Sequence, residues 1–306
     1  MRPVLEIGGT HVTAALADPH TATVARSVRR PLDARGTAEQ ILGAVVRCAG
    51  DLEAAAGEVW GVAVPGPFDH DKGIARFEGV GKFDDLYGID VRSVLLDGVW
   101  PRPAETVFLN DAHAFLLGEW RAGAARGHHR CVGITLGTGV GSAFTVDGGV
   151  RRTGPGVPPQ GRVDLLRVGG RPLEDSVSRR AILARYGDGD AANGVLDSAV
   201  DGASGGVLGG VLDGALDVRE IADRARAGER RARHVFDETF TTLGAVLAPC
   251  LRGFDATALV VGGAMAASWD LIRPALRAGL GDTPVALRAG ALGENAALIG
   301  AAVYVT

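Results

Sequence analysis

The chain has 306 residues, 46% hydrophobic and 22% charged, with a net charge of −4 at pH 7. That length supports one large domain or two moderate ones with proper cores, and the slight acidity argues against a nucleic-acid partner, whose footprint would be a basic face. No apolar run reaches the ~18 residues of a membrane span, the opening MRPVLEIGGT lacks a signal-peptide core, and Cys48, Cys131 and Cys250 form no disulfide or zinc pattern, so a cytoplasmic protein is expected.

Pro3 to Ile7 reads as a strand, followed by Gly8-Gly9-Thr10 and a second strand over His11 to Leu16. A glycine turn between strands is either a plain hairpin or a loop whose backbone N–H groups meet a phosphate. Val24 to Arg30, with its three arginines, reads as an edge strand. Thr37 to Ala56 is predicted to be an amphipathic helix, because Ile41, Leu42, Val45, Val46, Ala49 and Leu52 share one stripe. Trp60 to Val64 is a buried strand ended by Pro65-Gly66-Pro67, where Gly66 lets the backbone approach a ligand. Residues 68–105 read as a loop-rich insert. Its Glu78, Lys82, Asp84 and Asp85 lie near Phe77, Phe83 and Tyr87, either as a solvated loop or as a polar substrate rim with aromatic walls.

Thr106 to Leu109 is a buried strand and Ala112 to Trp120 a helix, with Asn110-Asp111 between them. A carboxylate at the carboxyl end of a parallel strand points into the crevice where α/β folds bind ligands. Asp111 also suits the helix as a cap, and both readings stay open on this stretch alone. Val132, Ile134 and Leu136 form a strand, Gly137-Thr138-Gly139-x-Gly141 a second glycine turn, and Phe144 and Val146 the next strand, with a hairpin at Asp147-Gly148-Gly149. This strand–glycine loop–strand unit repeats the N-terminal one, which implies two similar halves.

Gly154 to Gly170 is irregular, and Leu173 to Arg185 is expected to be one helix. Residues 187–217, rich in Gly, Ala and Asp, read as a partly flexible excursion. Val218 to Arg226 and Arg230 to Leu251 are helices, Thr257 to Val261 a strand closed by Gly262-Gly263, and Trp269 to Leu280 a helix. Val285 to Leu287 is a strand, and Gly293 to Val303 a small-residue helix suited to close backbone packing.

Seven segments then resemble one family in order and spacing. They are EIGGT at 6–10, GVAVPGPFD at 61–69, NDAHAFLLGE at 110–119, TLGTGVGSA at 135–143, LEDSVS at 173–178, VVGGAMA at 260–266 and LGENAALIGAA at 292–302. The family is ROK (repressors, open reading frames and kinases), a branch of the actin-like ATPase and sugar kinase fold. The resemblance implies an α/β, two-lobed actin-like (ribonuclease H-like) fold with a central cleft. The N-terminal lobe would take residues 1–112 and 290–306 with the substrate rim; the C-terminal lobe, 113–289, would hold the nucleotide site. ATP and Mg²⁺ would lie between the lobes. Gly8-Gly9-Thr10 and Gly137-Thr138-Gly139 would be the phosphate loops and Gly262-Gly263 the adenosine turn. Asp111 would be the catalytic base, Asn110 a substrate-orienting amide, and Glu174 a holder of sugar hydroxyls. Such an assignment suits phosphoryl transfer, which needs positioned charge stabilisation and a base for the attacking hydroxyl. A homodimer is also implied.

The chain departs from the family pattern in places that matter. Glu6 stands for the opening Asp, so the carboxylate that would reach Mg²⁺ through bound water is one methylene longer. The family's sugar-contacting Glu and zinc-sharing His fall at Gly161-Arg162-Val163-Asp164-Leu165, so both are lost and Arg162 is gained. RVGGRP at 167–172 replaces the zinc cysteines, so no zinc is expected, and His113 replaces a common Asn. Glu78, Lys82 and Arg162 join Asn110, Glu174 and Gly66 as expected acceptor contacts. The chemistry side of the site is retained and the recognition side rewritten, which argues against glucose or N-acetylmannosamine as the best substrate. The expected activity is ATP-dependent phosphorylation of a hydroxyl on a sugar or sugar-like carbocycle. A seven-carbon cyclitol of the valiolone type is favoured, as some relatives act on these, with an atypical hexose or aminosugar next. The rival reading is a catalytically weak sugar-binding or regulatory protein. It would lack the helix-turn-helix of the repressor branch, for which there is no room before the first strand.

Overall fold

A computed structural model describes residues 1–193 and 216–306. The first half runs β1 (Arg2–Ile7), β2 (His11–Asp18), β3 (Thr23–Pro31), α1 (Ala38–Asp51), β4 (Val59–Val64), a two-residue hairpin of β5 (Phe68–Asp69) and β6 (Ile74–Ala75), α2 (Val91–Gly98), β7 (Glu105–Asn110) and α3 (Asp111–Ala122). The second runs β8 (Arg130–Leu136), β9 (Val140–Val146), β10 (Gly149–Val150), β11 (Arg167–Val168), β12 (Arg171–Pro172), α4 (Glu174–Val177), α5 (Arg179–Asn193), α6 (Val218–Arg226), α7 (Arg230–Gly253), β13 (Ala258–Gly262), α8 (Trp269–Leu280), β14 (Ala286–Ala289) and α9 (Asn295–Tyr304). The sheet orders are β3-β2-β1-β4-β7 and β10-β9-β8-β13-β14. Each is an antiparallel meander of three strands joined to two parallel ones, so the halves match strand for strand.

Local chemistry explains most boundaries. Thr37 caps α1 in a reciprocal box with Gln40, at 3.3 and 2.9 Å. The helix stops at Asp51 rather than Ala56, because Glu53 turns into the left-handed region at φ 52°. The 68–105 insert is less irregular than its composition implies. It holds α2, whose N-cap Asp90 accepts from the Ser93 N–H at 3.0 Å while Val91 and Leu95 are buried. The Asp147-Gly148 turn has positive φ at both residues (50° and 77°), as a two-residue hairpin demands. The single helix expected over Leu173 to Arg185 is instead two, α4 and α5. Ser178 is extended between them (ψ 165°), and the Arg179 N–H donates to the Gly137 carbonyl at 3.1 Å. The excursion expected at 187–217 lies mostly outside the described residues; α5 extends through Asn193.

The halves exchange their last helices. α3, which follows β7, packs on β8 and β9, whereas α9, which follows β14, packs on β1, β2 and β4. The two cross each other at bare backbone. A Cβ on Gly118 would lie 2.0 Å from the Ala296 carbonyl oxygen, and one on Gly300 1.7 Å from that of Ala114. Apolar residues gather in a core under each sheet and a smaller one between them, around Val4, Ala63, Leu109, Ala114, Leu117 and Leu298. No described helix is long and apolar enough to cross a membrane.

Candidate active site between the halves

Parallel pairing of β1, β4 and β7 brings Glu6, Val64 and Asn110 to one sheet end; Glu6 pairs with Ala63, and Val64 with Asn110. Asn110 is the N-cap of α3. Its Oδ1 accepts from the N–H groups of Ala112 and His113, at 3.0 and 3.4 Å. The capping role open for Asp111 therefore falls to its neighbour, whose amide NH₂ stays available to a ligand. Asp111 Oδ1 accepts from the Ala112 N–H at 2.9 Å. Burial pushes the Asp111 carboxyl above the ordinary carboxylate range; the Ala112 hydrogen bond, Lys82 and His70 pull the other way. Glu6 is pushed up to about 7 by burial and by the Asp111 charge, opposed by Arg29 and reinforced by Glu294. Two carboxylates thus share one desolvated place.

The glycine loops face this place with free donors. The Gly9 and Thr10 carbonyls accept from the Ala34 and Leu32 N–H groups, at 3.2 and 2.9 Å, and the Gly8 N–H donates to His11. The N–H groups of Gly9 and Thr10 themselves have no partner among the described residues. In the second loop Gly137 donates to the Gly139 carbonyl at 3.1 Å, and the Thr138 and Gly139 N–H groups are likewise free. Unpaired amides in a tight turn suit phosphate oxygens. Glu174 braces this loop: its Oε2 accepts from the Val140 N–H at 3.0 Å, and a Cβ on Gly139 would come within 2.8 Å of that oxygen. The Gly262-Gly263 turn sits against the loop's base. Gly263 has φ 82°, and a Cβ there would meet the Leu136 carbonyl oxygen at 2.3 Å.

In the segment after Gly161, Arg162 forks onto Asp164, its Nε 3.2 Å from Oδ1. The Ser142 hydroxyl pins their loop by donating to the Gly161 carbonyl (2.6 Å) and accepting from the Val163 N–H (3.1 Å). Asp164 holds the Arg162 guanidinium firmly protonated, and Glu174 adds to that. Lys82 is half-buried near Asp111. Gly66 and Glu78 are exposed, and Glu78 makes no hydrogen bond or ion pair among the described residues. The structure therefore brings together Glu6, Asn110, Asp111, Lys82 and the first glycine loop, and links Glu174 with Arg162 and the second.

Sequence reading passed over three members of the site. His70 Nε2 lies 3.3 Å from the Val64 carbonyl, and its ring is 5.2 Å from that of Phe68. Arg152 lies close enough to influence both His70 and His113. Arg29, read as an edge arginine, reaches Glu294 at 2.8 Å beside Glu6. Their positions depend on partners distant in the chain, and no local pattern marks them.

A divalent cation fits this chemistry. Glu6 and Asp111 concentrate negative charge where burial already disfavours it, and Mg²⁺ held by Glu6 through water would neutralise phosphate charge there. Among the described residues no group of three or more His, Cys, Asp or Glu side chains is arranged to hold a metal ion by itself.

Duplicated α/β halves, exchanged helices and paired glycine loops define a two-lobed protein of the actin-like ATPase fold. More narrowly, the chain belongs to the ROK family, which matches residues 4–306. It resembles a glucokinase of Thermotoga maritima, 28% identical over 227 residues that cover 71% of this chain. The matched segment spans about two thirds of the curated relatives, 67% of that one and 64% of a Streptomyces coelicolor glucokinase. A ROK glucokinase from Streptomyces griseus, solved with glucose and AMPPNP, superposes with a TM-score of 0.73 at 27% identity, covering 98% of this chain and 97% of that one.

Proposed function

We propose that this chain is an ATP-dependent kinase that phosphorylates a hydroxyl of a sugar or sugar-like carbocycle. The observation that carries this reading is the half-buried Asp111 carboxylate at the β7–α3 junction, placed with two glycine loops whose N–H groups are free. Asp111 takes the proton of the attacking hydroxyl as its oxygen bonds to the γ-phosphorus. The bond to the bridging oxygen breaks and ADP leaves. The N–H groups of Gly9, Thr10, Thr138 and Gly139 stabilise the phosphate charge. The Gly8 and Gly137 N–H groups, already bonded within their turns, shape the loops instead. Gly262 and Gly263 border the adenosine. Asn110 orients the acceptor through its amide NH₂, and Glu174 and Lys82 line the acceptor side. Mg²⁺ would be held by Glu6 through water. The lobe boundaries fit the helix exchange, with 1–112 and 290–306 in one lobe and 113–289 in the other, and the functional unit is a homodimer.

Within the acceptor class, a seven-carbon cyclitol of the valiolone type is the favoured substrate. The forked Arg162–Asp164 pair supports this choice, because it occupies the segment that in the family pattern carries a sugar-binding Glu and His. An ADP-release assay with ATP and Mg²⁺ across hexoses, aminosugars and cyclitols tests it. Turnover confined to carbocycles is the expected result; an equal or higher kcat/KM with glucose rejects the cyclitol.

A further inference from the structure

His113 is 8% exposed, and its imidazole has no hydrogen-bond partner among the described residues. Neither of its ring nitrogens is fully buried, so the imidazole keeps a polar edge open to a ligand. Its position explains what it faces. On α3, Ala112 abuts Gly141, Phe115 abuts Gly262 and Leu116 abuts Gly133, so these three face the nucleotide half. His113 shares the helix face of Leu117, one turn on. Val150 packs against the small core that contains Leu109, Ala114 and Leu117, and Arg152 follows two residues later. Arg152 is exposed and makes no ion pair or hydrogen bond among the described residues. His70 comes near enough from a third segment to influence His113. A carbonyl only accepts, so His70 Nε2 carries the proton given to Val64 and its Nδ1 lone pair is left over. Phe68, 5.2 Å from both the His70 and Phe108 rings, fixes that ring beside the end of β7.

We propose that His113, His70 and Arg152 form an acceptor subsite beside Asp111 that binds a pair of hydroxyls on a polyol, with His113 as the specificity-determining side chain. Each neutral imidazole can exchange a hydrogen bond with a hydroxyl, and the Arg152 guanidinium donates to a hydroxyl oxygen. Burial, with Arg152 and His70 nearby, lowers the His113 pKa to about 4, so the ring stays neutral and can accept. The inference rests on the kinase reading for the reaction but concerns binding.

The test measures acceptor binding by titration calorimetry and ADP release for the wild-type protein, His113→Asn, His113→Ala and Arg152→Gln, with valiolone and D-glucose as probes. Loss of one or two hydrogen bonds predicts about a tenfold weaker Kd and higher KM for valiolone in each variant. KM for ATP should stay within about twofold. His113→Asn should also lower the preference for valiolone over glucose. Arg152 is exposed, so its variant reports even where a His113 variant fails to fold. Unchanged acceptor Kd in Arg152→Gln and a folded His113 variant overturns the subsite, as does absence of wild-type binding to either probe. Binding that weakens in the variants while the wild type releases no ADP supports the subsite and rejects the kinase reading instead.

Discussion

Glu6 and Asp111 are like charges in a desolvated place, and that arrangement has a thermodynamic signature. The folded state keeps the Glu6 proton up to about pH 7, against an ordinary value of 4.5. Between those values the native state binds more protons than the unfolded chain, so this group's contribution to stability falls as pH rises through the window. Glu6→Gln should therefore stabilise the ligand-free protein relative to wild type by roughly 3 kcal/mol more at pH 8 than at pH 4.5. Urea unfolding of both proteins at the two pH values measures it, and an equal difference at each would refute the coupling. Asn110-Asp111 was legible because a β-branched run meets a helical pattern there. The division of labour was not, since which of two neighbours caps the helix depends on side-chain geometry. Glu174 is a similar case. The family pattern names it for sugar, while its contact with the Val140 N–H makes it a brace for the second glycine loop as well.

At the level of elements, α3 and α9 join the two halves. A methyl group on Gly300 would penetrate the Ala114 carbonyl, and helix backbones cannot yield locally. Gly300→Ala should destabilise the fold by about 3 kcal/mol, read as a lower urea midpoint; a change below about 0.5 kcal/mol would show that the crossing is loose. Buried Glu119 adds a clamp, accepting from the N–H groups of Ala124 (2.7 Å), Ala291 (3.0 Å) and Leu292 (2.9 Å) and so tying the end of α3 to the approach of α9. Glu119→Ala leaves three donors unpaired and should cost about 3 kcal/mol or more, whereas unchanged thermal unfolding would deny the clamp. The small-residue run at 293–303 announced close packing, but its partner was invisible, since the exchange of helices is a tertiary fact. The fault in the 173–185 reading has the same origin: the break at Ser178 serves a bond from Arg179 to the distant Gly137. α2 was missed although its Asp90-x-x-Ser93 cap stood in the sequence; the surrounding Gly and Asp residues obscured an eight-residue helix.

Over the whole molecule, the repeated strand–glycine loop–strand unit foretold the duplication, and the sheets match in order and direction. Chemistry is divided between the halves: the Gly9 and Thr10 amides belong to one sheet end, those of Thr138 and Gly139 to the other. On the proposed reading, a triphosphate that touched both would couple the lobes, and closure around it would exclude water from the transfer. AMPPNP with Mg²⁺ at a concentration ~100-fold above its Kd should stabilise the protein by about 2.7 kcal/mol. Adenosine, which on the proposed reading would reach only the Gly262-Gly263 side, should bind far more weakly; equal affinity of the two would remove the phosphate loops from the account.

The most direct measurement compares Asp111→Asn with wild type in ADP release with ATP, Mg²⁺ and the best acceptor, alongside AMPPNP affinity. The account predicts a fall in kcat on the order of a thousandfold with nucleotide affinity unchanged. Near-normal kcat in the variant would contradict Asp111 as the base, and with it the reading of this site.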